Sequence, residues 1–139
     1  MALGVYLNFE KESREVIGFY EKVFDAKCTD LYSFADLPPN PEFPVSNEIK
    51  NLVMNASLII ENNKVMFSDV PPNMGLTLNM GNNITLIIDT QDENKLTQQF
   101  NDLAKEGNVV MPLDKTFWSE KYGFVIDKYQ IGWQFNLSK

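Results

Sequence analysis

The chain has 139 residues, 44% of them apolar, with a formal net charge of −7 and a pI near 4.5. A chain of this length suits one compact domain and buries enough surface to fold without a disulfide or a structural metal. Its acidity gains nothing from counterion release and is repelled by anionic lipid, so neither nucleic acid nor membrane is expected as a partner.

The start, Met1 to Phe9, has no basic n-region and no small-residue cleavage site, so no signal peptide is expected there. Leu3 to Phe9 reads instead as a first strand. A helix opens near Glu12 and Ser13, with Val16, Tyr20, Val23 and Phe24 at the i, i+4, i+7, i+8 spacing of one helical face, widened by Phe19. The extended stretch Ala26 to Phe34 contains Cys28. This single cysteine excludes an intrachain disulfide and fits a reducing, cytoplasmic setting. Pro38, Pro39, Pro41 and Pro44 make Leu37 to Ser46 a loop. Val53 to Ile60 and Val65 to Phe67 read as a hairpin turning about Asn62-Asn63, since asparagine tolerates the left-handed conformation.

Val70 to Gly81, with two prolines and two glycines, reads as a linker in which Leu76 to Met80 could be locally extended. The pattern then repeats at an offset of about 80: Leu96, Phe100, Leu103 and Ala104 match Val16, Tyr20, Val23 and Phe24. Ile84 to Asp89 is the strand before this second helix. Thr90 with Glu93 forms a capping box, and Gly107 suits the helix's C-terminal end. Val109 to Leu113 is a short strand. Phe124 to Asp127 and Trp133 to Leu137 form a hairpin across Lys128 to Gly132. Each half is therefore β-α-β-β-β, and the fold class is α+β.

Histidine is absent altogether, which removes Ser-His-Asp and Cys-His catalysis and every His-based zinc, iron or nickel site. Glu61, Asp69, Asp89 and Asp127 fall at strand ends with no spacing that demands convergence, and read as turn and strand-end carboxylates in water. No G-x-G pair occurs, so neither a Rossmann fingerprint nor a P-loop is present, and nothing supports methyl transfer. Seven aromatic residues crowd Phe117 to Phe135. Trp133 and Phe135 share strand parity, and Trp118 sits in a loop-like stretch.

An ordered series now resembles a known family. Leu7-Asn8-Phe9 precedes a helix carrying Phe19-Tyr20-x-x-Val23-Phe24. Asn55-Ala56-Ser57-Leu58 and Met66-Phe67-Ser68-Asp69 follow. The second half gives Gly107-x-Val109-x-Met111-Pro112-Leu113 and Thr116-Phe117-Trp118. It closes on Tyr122-Gly123-x-Val125-x-Asp127-x-Tyr129-x-x-x-Trp133. Over nearly the whole chain this resembles PhnB-like proteins of the vicinal oxygen chelate (glyoxalase/bleomycin-resistance) superfamily, sequences often labelled as 3-demethylubiquinone 3-methyltransferase domains.

The resemblance implies a single domain of two β-α-β-β-β modules, about residues 1–70 and 82–139, forming a curled mixed sheet with helices outside. It also implies a homodimer and a cleft for a small molecule. Metal-using relatives place His or Glu ligands on the first and last strands of each module. Here Val5 occupies the first such place, Asn83 the corresponding place in the second half and Asn136 the last, with the fourth near Met66 or Ser68. Asn55 stands where the PhnB-like pattern often has histidine. None of these suits a divalent transition metal, so no cofactor, no metal and no catalytic residue is expected.

The expected function is metal-free binding of a small aromatic or amphipathic molecule. Phe67, Trp118 and Trp133 would give apolar walls, and Asn55, Asn83 and Asn136 hydrogen bonds. The alternative is a metal-dependent lyase, isomerase or dioxygenase of the glyoxalase type using carboxylate ligands.

Overall fold

Apolar residues recurring at helical spacing are followed, in each half, by segments of period two, and the backbone obeys both periods. The computed structural model describes residues 2–42, 44–72 and 75–138. Its contacts divide the chain into two compact units, residues 1–79 and 80–139, hereafter the first and second modules.

The first module runs β1 (Val5–Phe9), α1 (Ser13–Phe24), β2 (Cys28–Ser33), β3 (Val53–Ile60) and β4 (Asn63–Asp69), with a short 3-10 turn at Phe34–Asp36. Its sheet has the order β1-β4-β3-β2. The β1–β4 pair is parallel and the others are antiparallel. The second module repeats this as β5 (Leu86–Thr90), α2 (Glu93–Ala104), β6 (Asn108–Asp114), β7 (Tyr122–Ile126) and β8 (Gly132–Leu137). Its order is β5-β8-β7-β6, with β5–β8 the parallel pair. Each sheet is a mixed four-stranded layer, not closed into a barrel. The β-α-β-β-β order expected twice from the sequence is therefore present.

A sheet packed by one helix has two unlike faces, and period two decides which side chains go where. In the first module Val16, Ile17, Tyr20, Val23 and Phe24 of α1 are buried, as are Phe9, Val65, Phe67, Ala56, Leu58 and Ile60 of the sheet. In the second module Leu96, Phe100 and Leu103 of α2 are buried together with Ile88, Val125, Trp133 and Phe135. The Phe100 and Phe135 rings meet edge to face, 5.7 Å between centroids. Each such fully buried side chain contributes about 1.5–3 kcal/mol relative to leaving it in water. The repeated helical face read from the sequence is thus the core face of both helices, with Ala104 half-buried at its end.

Several local expectations shift. The β3–β4 turn is Glu61-Asn62, both left-handed (φ 48° and 67°), and Asn63 already pairs with Ile60. Thr90 ends β5 rather than capping α2. Asp92 is the cap, its carboxylate accepting from Lys95 N at 3.0 Å, and Thr90 Oγ1 accepts from Asp92 N. After α2 the left-handed residue is Glu106 (φ 60°). Gly107 is required for another reason: a Cβ there would stand 2.5 Å from the Ile126 carbonyl oxygen. Leu76 to Met80 joins no strand. No helix among the described residues is long and apolar enough to cross a membrane.

Candidate functional site

Each sheet gives one face to its helix and leaves the other open, and on these open faces polar and aromatic side chains gather. In the first module, Val5, Leu7 and Phe9 pair with Val65, Phe67 and Asp69 on the helix side. The alternate residues Tyr6 and Asn8 of β1 and Met66 and Ser68 of β4 therefore point the other way. Asn55 of β3 belongs to the open face and donates through Nδ2 to the Tyr6 hydroxyl at 2.9 Å. Tyr32, paired with Asn55 across β2–β3, is 52% exposed.

Two expectations fail in this module. Val5 lies on the helix side, so the first-strand positions that reach the open face are Tyr6 and Asn8. Phe67 is fully buried, its ring 6.1 Å from that of Tyr20 in α1, and it walls the core instead of the open face.

In the second module the open face is built by Ile87 and Asp89 of β5, Gln134 and Asn136 of β8, Tyr122 and Phe124 of β7, and Met111 and Asp114 of β6. Their cross-strand pairings place them in register. Gly123 and Val125 take the opposite side, and a Cβ on Gly123 would strike Phe100 of α2. Asn136 Nδ2 donates to Asp89 Oδ1 at 3.3 Å, and Gln134 Nε2 donates to Thr85 Oγ1 at 2.9 Å. Gly132 supplies room: a Cβ there would come 2.9 Å from the Thr85 methyl and 3.6 Å from the Phe124 ring.

Asn136 sits on the open face. Asn83 lies in the bend before β5, exposed and outside the strand. Trp133 is 1% exposed on the helix side, held by a hydrogen bond to Asp127, so it is a core residue and not a wall of the open face.

Trp118 stands in the loop between β6 and β7, 57% exposed, with its ring edge-on to Tyr122 at 5.5 Å. The loop is pinned by Ser119, which is buried. Its N–H donates to Thr116 Oγ1, its hydroxyl to the Lys121 carbonyl, and its own carbonyl accepts from Thr116 N. Phe117 beside it is 96% exposed.

Sequence reasoning passed over Tyr6, Tyr122 and Gln134. Each alternates along its strand with a more buried neighbour, and that parity was the available signal. The strand-end carboxylates also divide. Asp89 remains exposed, but Asp69 and Asp127 are only 2% and 3% exposed and serve backbone donors, which corrects their reading as solvated groups.

The open-face positions on the first and last strands are Tyr6, Asn8, Met66 and Ser68 in the first module and Ile87, Asp89, Gln134 and Asn136 in the second. The first set has no carboxylate and the second has one, beside amide and alkyl groups. Neither set fits the nitrogen, thiolate and carboxylate ligation that divalent transition metals take. Among the described residues no three of His, Cys, Asp and Glu converge as ligands. A groove of about 530 Å³ follows the proline-rich loop of the first module, lined by Pro38, Pro39, Pro41, Pro44 and Lys50. It contains none of the residues expected from sequence.

Comparison with known proteins adds four likenesses. The family described as 3-demethylubiquinone-9 3-methyltransferase matches residues 2–136. Protein YjdN of Escherichia coli strain K12 is 27% identical over 145 residues, covering 100% of this chain and 97% of YjdN. A Bacillus cereus PhnB protein shares 24% identity and superposes with a TM-score of 0.78 over 99% of this chain and 100% of its own. The fosfomycin resistance protein FosX of Listeria monocytogenes shares 8% identity and the fold alone, with a TM-score of 0.65 over 100% of this chain and 94% of FosX. A mutant of FosX is known complexed with Mn(II).

Proposed function

Since the chain belongs to the PhnB-like family described as 3-demethylubiquinone-9 3-methyltransferase, within the vicinal oxygen chelate superfamily, we propose that it holds a small aromatic or amphipathic organic molecule on its open sheet faces without a metal. The observation that carries this reading is the second module's open face. Tyr122, Phe124, Ile87 and Met111 provide apolar area there, beside the side-chain amides of Gln134 and Asn136. Rings and alkyl groups supply affinity by losing water, and amides offering both donors and acceptors orient a ligand without charge. In the first module Asn55 and Tyr6 offer the same combination. Trp118 borders the second face through Tyr122.

The methyltransferase description finds no support in the residues, since the chain has no glycine-rich nucleotide loop. The donor set described above gives no footing to the glyoxalase-type alternative either.

The homodimer belongs to the same proposal. Val109 and Val110 of the edge strand β6 are 43% and 53% exposed, and Phe117 almost wholly so. A second copy would cover such area. A reducing, cytoplasmic setting suits the free Cys28.

Thermal-shift screening of the chelator-treated protein against aromatic and amphipathic compounds tests the binding reading, because a ligand of the folded state alone raises Tm. A hit whose effect survives in the presence of chelator supports it, and hits that appear only with added Mn(II) or Zn(II) contradict it. Sedimentation equilibrium tests the dimer.

A further inference from the structure

Four residues of the second module's open face cross the sheet in a single row. Asp89 pairs with Asn136, Asn136 with Tyr122, and Tyr122 with Asp114. The adjacent row is Ile87, Gln134, Phe124 and Met111. One row therefore ends in a carboxylate at each side, and the other offers alkyl, aromatic and thioether surface. With neighbouring strands about 4.8 Å apart, the ends of a four-strand row are separated by roughly 14 Å, so one organic ligand can touch the apolar row and either carboxylate.

The charges on this face have one sign. Asp89 accepts from Asn136 Nδ2, and Asp114 Oδ1 accepts from the Lys115 backbone N–H at 2.8 Å. Among the described residues neither carboxylate forms an ion pair. Lys105, Lys115, Lys121 and Lys128 pair with Asp102, Glu120, Glu93 and Glu106. The whole chain adds a net charge of −7. Among the described residues, an anion laid on this face meets two carboxylates and no compensating cation, whereas a cation meets attraction at both ends and the ring of Tyr122 between them.

We infer that the ligand of this face is an organic cation, an aromatic or amphipathic amine whose ring lies on Ile87, Phe124 and Met111 and whose charge faces Asp89 or Asp114. The inference rests on the proposed reading of the face as a ligand surface and adds the sign of the ligand's charge.

Three probes sharing one ring system separate the two claims: 9-aminoacridine is cationic, acridine neutral and acridine-9-carboxylate anionic at mildly alkaline pH. Affinities would be measured by titration calorimetry on the full chain. The expected order is 9-aminoacridine tightest, by about tenfold or more over acridine, with the carboxylate weakest. The Asp89→Asn/Asp114→Asn double variant should erase that preference, and added salt should weaken the cation alone. Ile87→Lys, with folding checked by circular dichroism, should abolish 9-aminoacridine binding. Acridine and 9-aminoacridine binding equally well, both weakened by Ile87→Lys, would overturn the charge inference and leave the ligand-face reading standing. Failure of all three to bind would overturn both.

Discussion

The indole Nε1 of Trp133 donates to Oδ2 of Asp127 at 3.0 Å, and both residues are buried. The other oxygen of the same carboxylate accepts from the backbone N–H groups of Tyr129 at 2.8 Å and Ile131 at 3.1 Å. One side chain thus closes the β7–β8 loop and satisfies the largest residue of the second core. The loop also carries a left-handed residue, Gln130 (φ 71°).

Asp127→Ala would leave three donors without this acceptor, each orphaned donor costing about 1–3 kcal/mol where water cannot reach it. A loss of stability of about 3–5 kcal/mol is expected, as for breaking other buried charged networks. Urea unfolding followed by tryptophan fluorescence measures it. Asp127→Asn, which keeps one carbonyl acceptor, should cost less.

Asp69 performs a similar role in the first module. Its two oxygens accept from Ser13 N and Val53 N, both at 2.9 Å, and so tie the start of α1 and the start of β3 to the end of β4. A carboxylate at a helix N-terminus is also favoured by the helix dipole. Asp69→Ala should destabilise by about 3–5 kcal/mol. The neighbouring Ser13 gives the opposite sign. It is fully buried and its hydroxyl has no hydrogen-bond partner among the described residues. Ser13→Ala should therefore be neutral or stabilising by up to about 1 kcal/mol, read from the shift in urea midpoint at constant slope.

Two glycines answer to different neighbours. A Cβ on Gly123 would come 2.8 Å from both the Leu113 side chain and the Phe100 ring, groups that can give way. Gly123→Ala should cost about 1–3 kcal/mol as an overpacked core does. At Gly107 the obstacle is backbone, the Ile126 carbonyl at 2.5 Å. Gly107→Ala should be the more damaging of the two, and thermal denaturation of both variants ranks them.

Much of this architecture was legible from residue types alone. Val16, Tyr20, Val23 and Phe24, with their partners 80 residues on, announced two helices with one buried face each. The alternation along β1, β4, β7 and β8 then determined which side chains turn to those helices. That alternation also corrects Phe67, Trp133 and Val5. Each is apolar and stands on the helix-facing parity, so packing claims it before any ligand can. Asn55 and Asn136 stand on the other parity and reach the open faces. Loop chemistry was less legible. Asp69 and Asp127 look like any strand-end acid in sequence, and only the return of distant backbone N–H groups makes them buried acceptors. Thr90 and Asp92 both make good caps, and the length of β5 decides between them.

Cys28 offers a check on reactivity. Burial is the largest cause raising its thiol pKa above the ordinary value, and the Glu21 carboxylate adds to it, against hydrogen bonds with the Ser57 and Asp30 backbone that act the other way. The thiolate is the nucleophile, so alkylation by iodoacetamide at about pH 8 should run slower in the folded chain than in urea-unfolded chain. The raised folded value also means that the unfolded chain releases this proton first. Its effect on folding is therefore to lower stability as pH climbs through the ordinary thiol range. A faster reaction in the folded state would contradict the assignment.

The central claim is that an organic ligand is held on the open sheet faces without a metal. Calorimetric titration of one compound found by thermal-shift screening, run on chelator-treated protein and again with Mn(II) restored, decides the matter. Equal affinity in the two titrations, together with loss of binding in Asn136→Ala and Tyr122→Ala, is the predicted result. Binding that appears only after the metal is returned would contradict it.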